Sequence, residues 1–88
     1  MSLTKNNRGV IRIGDKTSHD GQVITVYGEM EVQGRIVARI GDLVSCPRCE
    51  GGPFKVIEGD LDVTDHGIPV AFDGHKTECG AILISSVT

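Results

Sequence analysis

Six side chains in this sequence could bind a soft metal ion or act as a nucleophile: Cys46, Cys49, Cys79, His19, His66 and His75. Structural zinc is held tetrahedrally by four Cys or His donors, and Cys-x-x-Cys is a common local chelate because its turn aims both sulfurs at one ion. Cys46-Pro47-Arg48-Cys49 has that spacing. Adding His19 and Cys79 completes a closed Cys3His set for one structural Zn2+. His75, four residues before Cys79, competes for the fourth place, and if it binds, Cys46 or Cys49 is spare. A redox reading of the Cys-x-x-Cys needs a helix N-terminus in a βαβ setting to lower a thiol pKa, and no such unit is evident. A nucleophilic pair of Cys79 with His75 or His19 lacks a nameable orienting group or oxyanion device, so no enzymatic activity is expected. His66, in an Asp-His-Gly turn, reads as a solvated turn residue.

The elements that must bring these residues together are short. No long segment places apolar residues at helical spacing, and twelve glycines interrupt the chain. Runs of β-branched residues between Gly, Asp and Asn predict strands within Val10–Ile13, Val23–Tyr27, Ile36–Ile40, Phe54–Ile57, Val70–Phe72 and Ile82–Ile84. The runs belong to repeats. Gly34, Ala38, Gly41 and Cys46 recur 33 positions on as Gly67, Ala71, Gly74 and Cys79, and Arg12–His19 matches Arg39–Cys46 at a spacing of 27 as a third, degenerate copy. The sixth residue of each loop is then His19, Cys46 and Cys79. Equivalent positions of three repeats about an approximate three-fold converge, which is the argument for one metal site. Asp15 and Asp42, following Gly14 and Gly41, read as loop-organising acceptors, and His75 stands in that place in the last copy. The expected fold is all-β, three β-hairpin-like repeats with pseudo-three-fold symmetry in a small tapering structure. Residues 1–88 read as a single domain with no extension.

Composition excludes several classes. The chain has nine Lys or Arg against twelve Asp or Glu, a formal net charge of -3, mixed in sign along its length. Nucleic-acid binding leaves a basic face or stripe, and none is present. Apolar runs fall far short of the roughly 20 residues that span a bilayer, so no stable membrane insertion is expected. The start, MSLTKNNRG, lacks a secretory signal's apolar stretch, which predicts a chain made in the cytoplasm. With no Trp, one Tyr and two Phe in 88 residues, little core area is on offer, and a metal or a partner is expected to supplement it.

With the loops aligned, the sequence resembles the PAAR-repeat proteins of the type VI secretion spike. GDKTSHDGQVI (Gly14–Ile24) is similar to the family's GDxTxHGGxV, GRIVARIGDLVSCP (Gly34–Pro47) to GxPxARxGDxVxCP, and GIPVAFDGHKTECGAILISS (Gly67–Ser86) to GxPVAxxGxxTxCGAxLIS. Departures are Asp20 where the family often has Gly, Cys49 where CPxHG often supplies His, and His75 where Asp is common. The resemblance implies a cone whose base, around Met30, Val32, Gly34, Val63 and Gly67, sits on a trimeric VgrG spike at one chain per trimer, with zinc stiffening the vertex. It implies a mechanical, adaptor-like role: capping and sharpening the spike for envelope puncture, with effector proteins as possible cargo, after cytoplasmic assembly and delivery by the secretion system. The alternative is a small zinc-ribbon-like module that binds protein or nucleic acid.

Overall fold

A computed structural model describes the backbone of Thr4 and Lys5 and all of residues 8–87, so the expected domain limits at 1 and 88 lie outside the described residues. The architecture is all-β. The strands are β1 Thr4–Lys5, β2 Arg8–Gly9, β3 Lys16–Thr17, β4 Val23–Thr25, β5 Glu31–Val32, β6 Arg35–Ile36, β7 Leu43–Val44, β8 Phe54–Lys55, β9 Asp60–Asp65, β10 Ile68–Val70 and β11 Leu83–Ile84. They form small antiparallel sheets, β1 with β2, β5 with β6, β9 with β10, β11 with β3, and β4-β7-β8.

Turn chemistry sets the hairpins. Gln33 and Gly34 have φ of 52° and 86°, and His66 and Gly67 have φ of 53° and 82°. Two successive positive φ values make the turn whose twist matches that of the flanking strands, which is why β5 joins β6 and β9 joins β10 with only two residues between. At the start of the chain β1 pairs with β2, Thr4 opposite Gly9 and Lys5 opposite Arg8. The first repeat therefore does not begin at Arg12, as its degenerate sequence suggested; it carries its own hairpin upstream.

Both repeat spacings have one cause. Gly14, Gly41 and Gly74 donate equivalent hydrogen bonds to the carbonyls of Val23, Val56 and Leu83. The loop residue and its return strand are four positions apart in His19–Val23 and in Cys79–Leu83 but ten in Cys46–Val56, so the middle copy is longer by six residues. The insertion follows Cys46 and carries Cys49.

The copies are joined cyclically. The Ile11 N–H donates to the Ala71 carbonyl at 2.9 Å, the Ala71 N–H to Ala38 at 2.9 Å, and the Ala38 N–H to Ile11 at 2.8 Å, a closed ring of three. A second ring runs from Ile13 to Ile36, Ile40 to Pro69, and Asp73 to Gly9, and a third from Ser18 to Ile82, Ser45 to Gln22, and Glu78 to Lys55. In all three sets each copy is both donor to one neighbour and acceptor from the other, the arrangement by which closed β structures avoid an open edge.

Two apolar clusters line this scaffold. One joins Ile11, Ala38, Ala71, Val23, Val56, Leu83 and Val44. The other joins Val10, Val37, Val70, Phe72, Val32 and Val87, with Met30 and Val63 packed on it. The core is thus larger than the aromatic-poor composition suggested, because small and β-branched residues fill it.

Gly21 tests the fit. A Cβ there would fall on the Ser45 carbonyl oxygen, which belongs to the neighbouring copy's backbone. Forced repacking of this kind costs about 1 to 3 kcal/mol, and each kcal/mol shifts the melting temperature of so small a domain by about 4 to 8 °C. Gly21→Ala should therefore melt on the order of 5 to 20 °C below the parent by circular dichroism.

Candidate metal centre

Each donor loop is built the same way. Gly14, Gly41 and Gly74 sit at φ of 87°, 95° and 91°, a region that glycine enters freely, and there the chain leaves one strand and turns into the loop. The next side chain braces the turn from inside. Asp15 Oδ2 accepts the Arg12 N–H at 2.9 Å, and Asp42 Oδ2 accepts the Arg39 N–H at 2.8 Å. In the last copy His75 Nδ1 accepts the Phe72 N–H at 2.8 Å. Further along, Thr17 Oγ1 accepts the N–H groups of His19 and Gly21, each at 3.2 Å. Thr77 Oγ1 accepts the Ala81 N–H at 3.2 Å and lies 3.2 Å from Cys79 Sγ. Val44 holds the same place in the middle copy and is fully buried.

The loops bring four donors together. His19, Cys46, Cys49 and Cys79 each offer one ligand atom, and these atoms lie within 4.8 Å of one another. Cys46 Sγ is 3.3 Å from His19 Nδ1 and 3.0 Å from Cys49 Sγ, and Cys49 Sγ is 3.9 Å from His19 Nδ1. A tetrahedral ion with Zn–S near 2.3 Å and Zn–N near 2.05 Å needs donor separations of about 3.5 to 3.8 Å, which the observed spacings bracket. The Cys49 N–H donates to the Cys46 carbonyl at 3.1 Å, closing the turn of the chelate. The donor set fits a structural Cys3His site.

Electrostatics point the same way. Burial pushes the Cys46 thiol up to about 12, and its hydrogen bonds with Cys49 and Cys79 and their like charge act in the same direction. Burial also opposes ionisation of Cys79, but the Thr77 hydroxyl, Cys46, the Ala81 backbone and Cys49 together hold that thiol below its ordinary value. One thiolate is accommodated and the next is resisted. A bound divalent cation would reverse that balance, because a coordinating thiol is deprotonated outright.

His75, the fifth ligand candidate, is not in the cluster. Its Nδ1 does for Phe72 what Asp15 and Asp42 do for Arg12 and Arg39, and its ring meets Phe72 edge-on at 6.4 Å between centroids. The exchange of Asp for His in the third loop therefore conserves an acceptor. The signal was present in the alignment of the three loops. His66 is an exposed turn residue whose Nε2 lies 3.5 Å from Asp65 and 3.7 Å from Glu29. Among the described residues there is no helix to activate a redox Cys-x-x-Cys. Residue types alone did not single out Thr17 and Thr77; their repeat equivalence would have.

A family model for the PAAR motif matches residues 13–85, which takes in all three donor loops. The chain belongs to the PAAR-motif family. A search of curated proteins finds no match. PAAR proteins are structural tips that associate with the VgrG spike of type VI secretion systems. No helix among the described residues of this PAAR protein is long and apolar enough to cross a membrane.

Burial, and then the neighbouring Arg8 charge, holds the His75 pKa below 6.5. The fold thus favours the neutral ring, so this contribution to stability is complete above pH about 6.5 and is lost as pH falls through the folded-state value. His75→Asp supplies a carboxylate acceptor in its place. The melting temperature of the variant minus that of the parent should rise between pH 7.5 and pH 5, whereas parallel pH profiles would show that His75 is not the titrating brace.

Proposed function

We propose that this PAAR protein caps a VgrG-type trimer at one chain per trimer, its loop end forming the point that leads the spike through a target envelope. The observation that carries the reading is the convergence of His19, Cys46, Cys49 and Cys79, drawn from three cyclically bonded copies, on a volume the size of one tetrahedral ion. These four residues are the proposed ligands of one structural zinc ion, with His75 a loop brace. A pointed end has too few residues around it to bury a core, and metal coordination there becomes folding free energy. An approximately three-fold body also suits a three-fold partner, which would meet the hairpin end around Gly34 and Gly67. Met30, Val32 and Val63 lie near that end but already pack against the second cluster, so the docking surface is made of the turns and the residues that flank them. Effector proteins would travel with the tip as cargo. The protein would assemble in the cytoplasm and leave with the spike.

Purified protein should carry one equivalent of zinc by elemental analysis, and chelation should lower its melting temperature by more than 10 °C, since structural zinc in small domains contributes on the order of 10 kcal/mol. Metal-free protein with unchanged melting would sink the zinc assignment. Co-expressed with its VgrG trimer, the protein should co-purify at one chain per three by native mass spectrometry. Three chains per trimer, or none, would reject the capping arrangement.

A further inference from the structure

Arg48, inside the Cys46–Cys49 chelate, reaches across to Asp20, the residue after His19. Its Nε and Nη2 both donate to Asp20 Oδ2, at 3.0 and 2.8 Å. The pair joins the two loops that carry His19 and the Cys-x-x-Cys, outside the donor cluster and in solvent, with the side chains 59% and 71% exposed.

Asp20 occupies a position that favours glycine. Its φ is 64°, and its counterpart in the last copy is Gly80 at φ 84°. The N–H groups of both donate to the carbonyl of the preceding threonine, Thr17 at 3.2 Å and Thr77 at 3.0 Å. The turn therefore forms without a carboxylate, and glycine would enter it with less strain. The contact that distinguishes Asp20 from Gly80 is the ion pair with Arg48.

We infer that Asp20 and Arg48 are positioning residues that clasp the two ligand loops together and slow the departure of the metal. The inference rests on the reading of His19, Cys46, Cys49 and Cys79 as zinc ligands. Parting of His19 from the Cys-x-x-Cys turn would open one side of the site to release of an ion, and the Asp20–Arg48 contact spans that gap. The pair touches no donor atom, so it acts on the rate at which the loops separate rather than on the identity of the ion. Because it is exposed, its effect is modest: a pair of this kind contributes up to about fivefold in an equilibrium or a rate. It is also screened by salt.

The test uses zinc-loaded protein mixed with excess chromogenic zinc chelator at low ionic strength. Asp20→Asn removes the charge while retaining a residue that tolerates positive φ, and Arg48→Gln removes the other partner. Each should release zinc about two- to fivefold faster than the parent, the double variant no faster than either single one, and the difference should vanish in about 1 M salt. Release rates equal to the parent's, singles that multiply in the double variant, or an effect that persists in high salt would each overturn the clasp. A parent protein that carries no zinc would instead remove the ligand assignment, and the clasp with it.

Discussion

The ring of hydrogen bonds among Ile11, Ala38 and Ala71 is the constraint on which the rest depends. These three backbones meet where all three residues are 0% exposed, so an unmade bond there would leave a buried polar group without water. Closing the ring fixes each copy's rotation relative to the other two. The loops that carry His19, Cys46 and Cys79 leave their copies at equivalent points, so fixing the copies also fixes where the loop ends meet. Alanine occupies the central place in two copies and Ile11 in the third, and all three side chains pack in one apolar cluster.

Outward from the ring, buried polar groups tie each copy to the next. Arg12 Nη1 donates to the Val32 carbonyl and Arg39 Nη1 to the Asp65 carbonyl, each at 3.1 Å, so an arginine of one copy holds the hairpin of the following one. Asp65 accepts the N–H groups of Met30 and Glu29; burial works against its ionisation, but these bonds and the nearby His66 and Arg39 charges hold the carboxyl below its ordinary value. At Asp42 the balance falls the other way: burial raises the carboxyl despite the bonds it accepts from Arg39 and Tyr27. The same residue type is therefore a carboxylate clip near the hairpin end and a desolvated brace beneath the donor loops.

Much of this was legible in the residues. Repeat equivalence identified the loops and brought His19, Cys46 and Cys79 to one place, and the Cys-x-x-Cys spacing added Cys49. The fold class followed from β-branched runs between glycines. Other elements were less legible, for physical reasons. The hairpin at Thr4–Gly9 escaped because Asn6-Asn7 stands in sequence where the later copies have Gln33-Gly34 and His66-Gly67. β9, Asp60–Asp65, escaped because its alternating acidic residues suit a half-exposed strand poorly by propensity, and pairing with β10 overrides that preference. His75 looked like a ligand because its chemistry permits it, although its place in the loop alignment already pointed to the acceptor role that the bond from the Phe72 N–H shows.

The six-residue insertion that carries Cys49 has one more consequence. A body closed by three equivalent copies presents the same profile every third of a turn, and a partner resting on it could not distinguish one azimuth from another. A tetrahedral ion needs a donor more than such a body has copies, and the middle copy alone provides it. The end of the molecule thus acquires a single marked direction, with Pro47, Arg48 and the glycines of the insertion on one flank. Whatever binds at that end meets an oriented surface, while the opposite end carries the two-residue turns at Gln33-Gly34 and His66-Gly67.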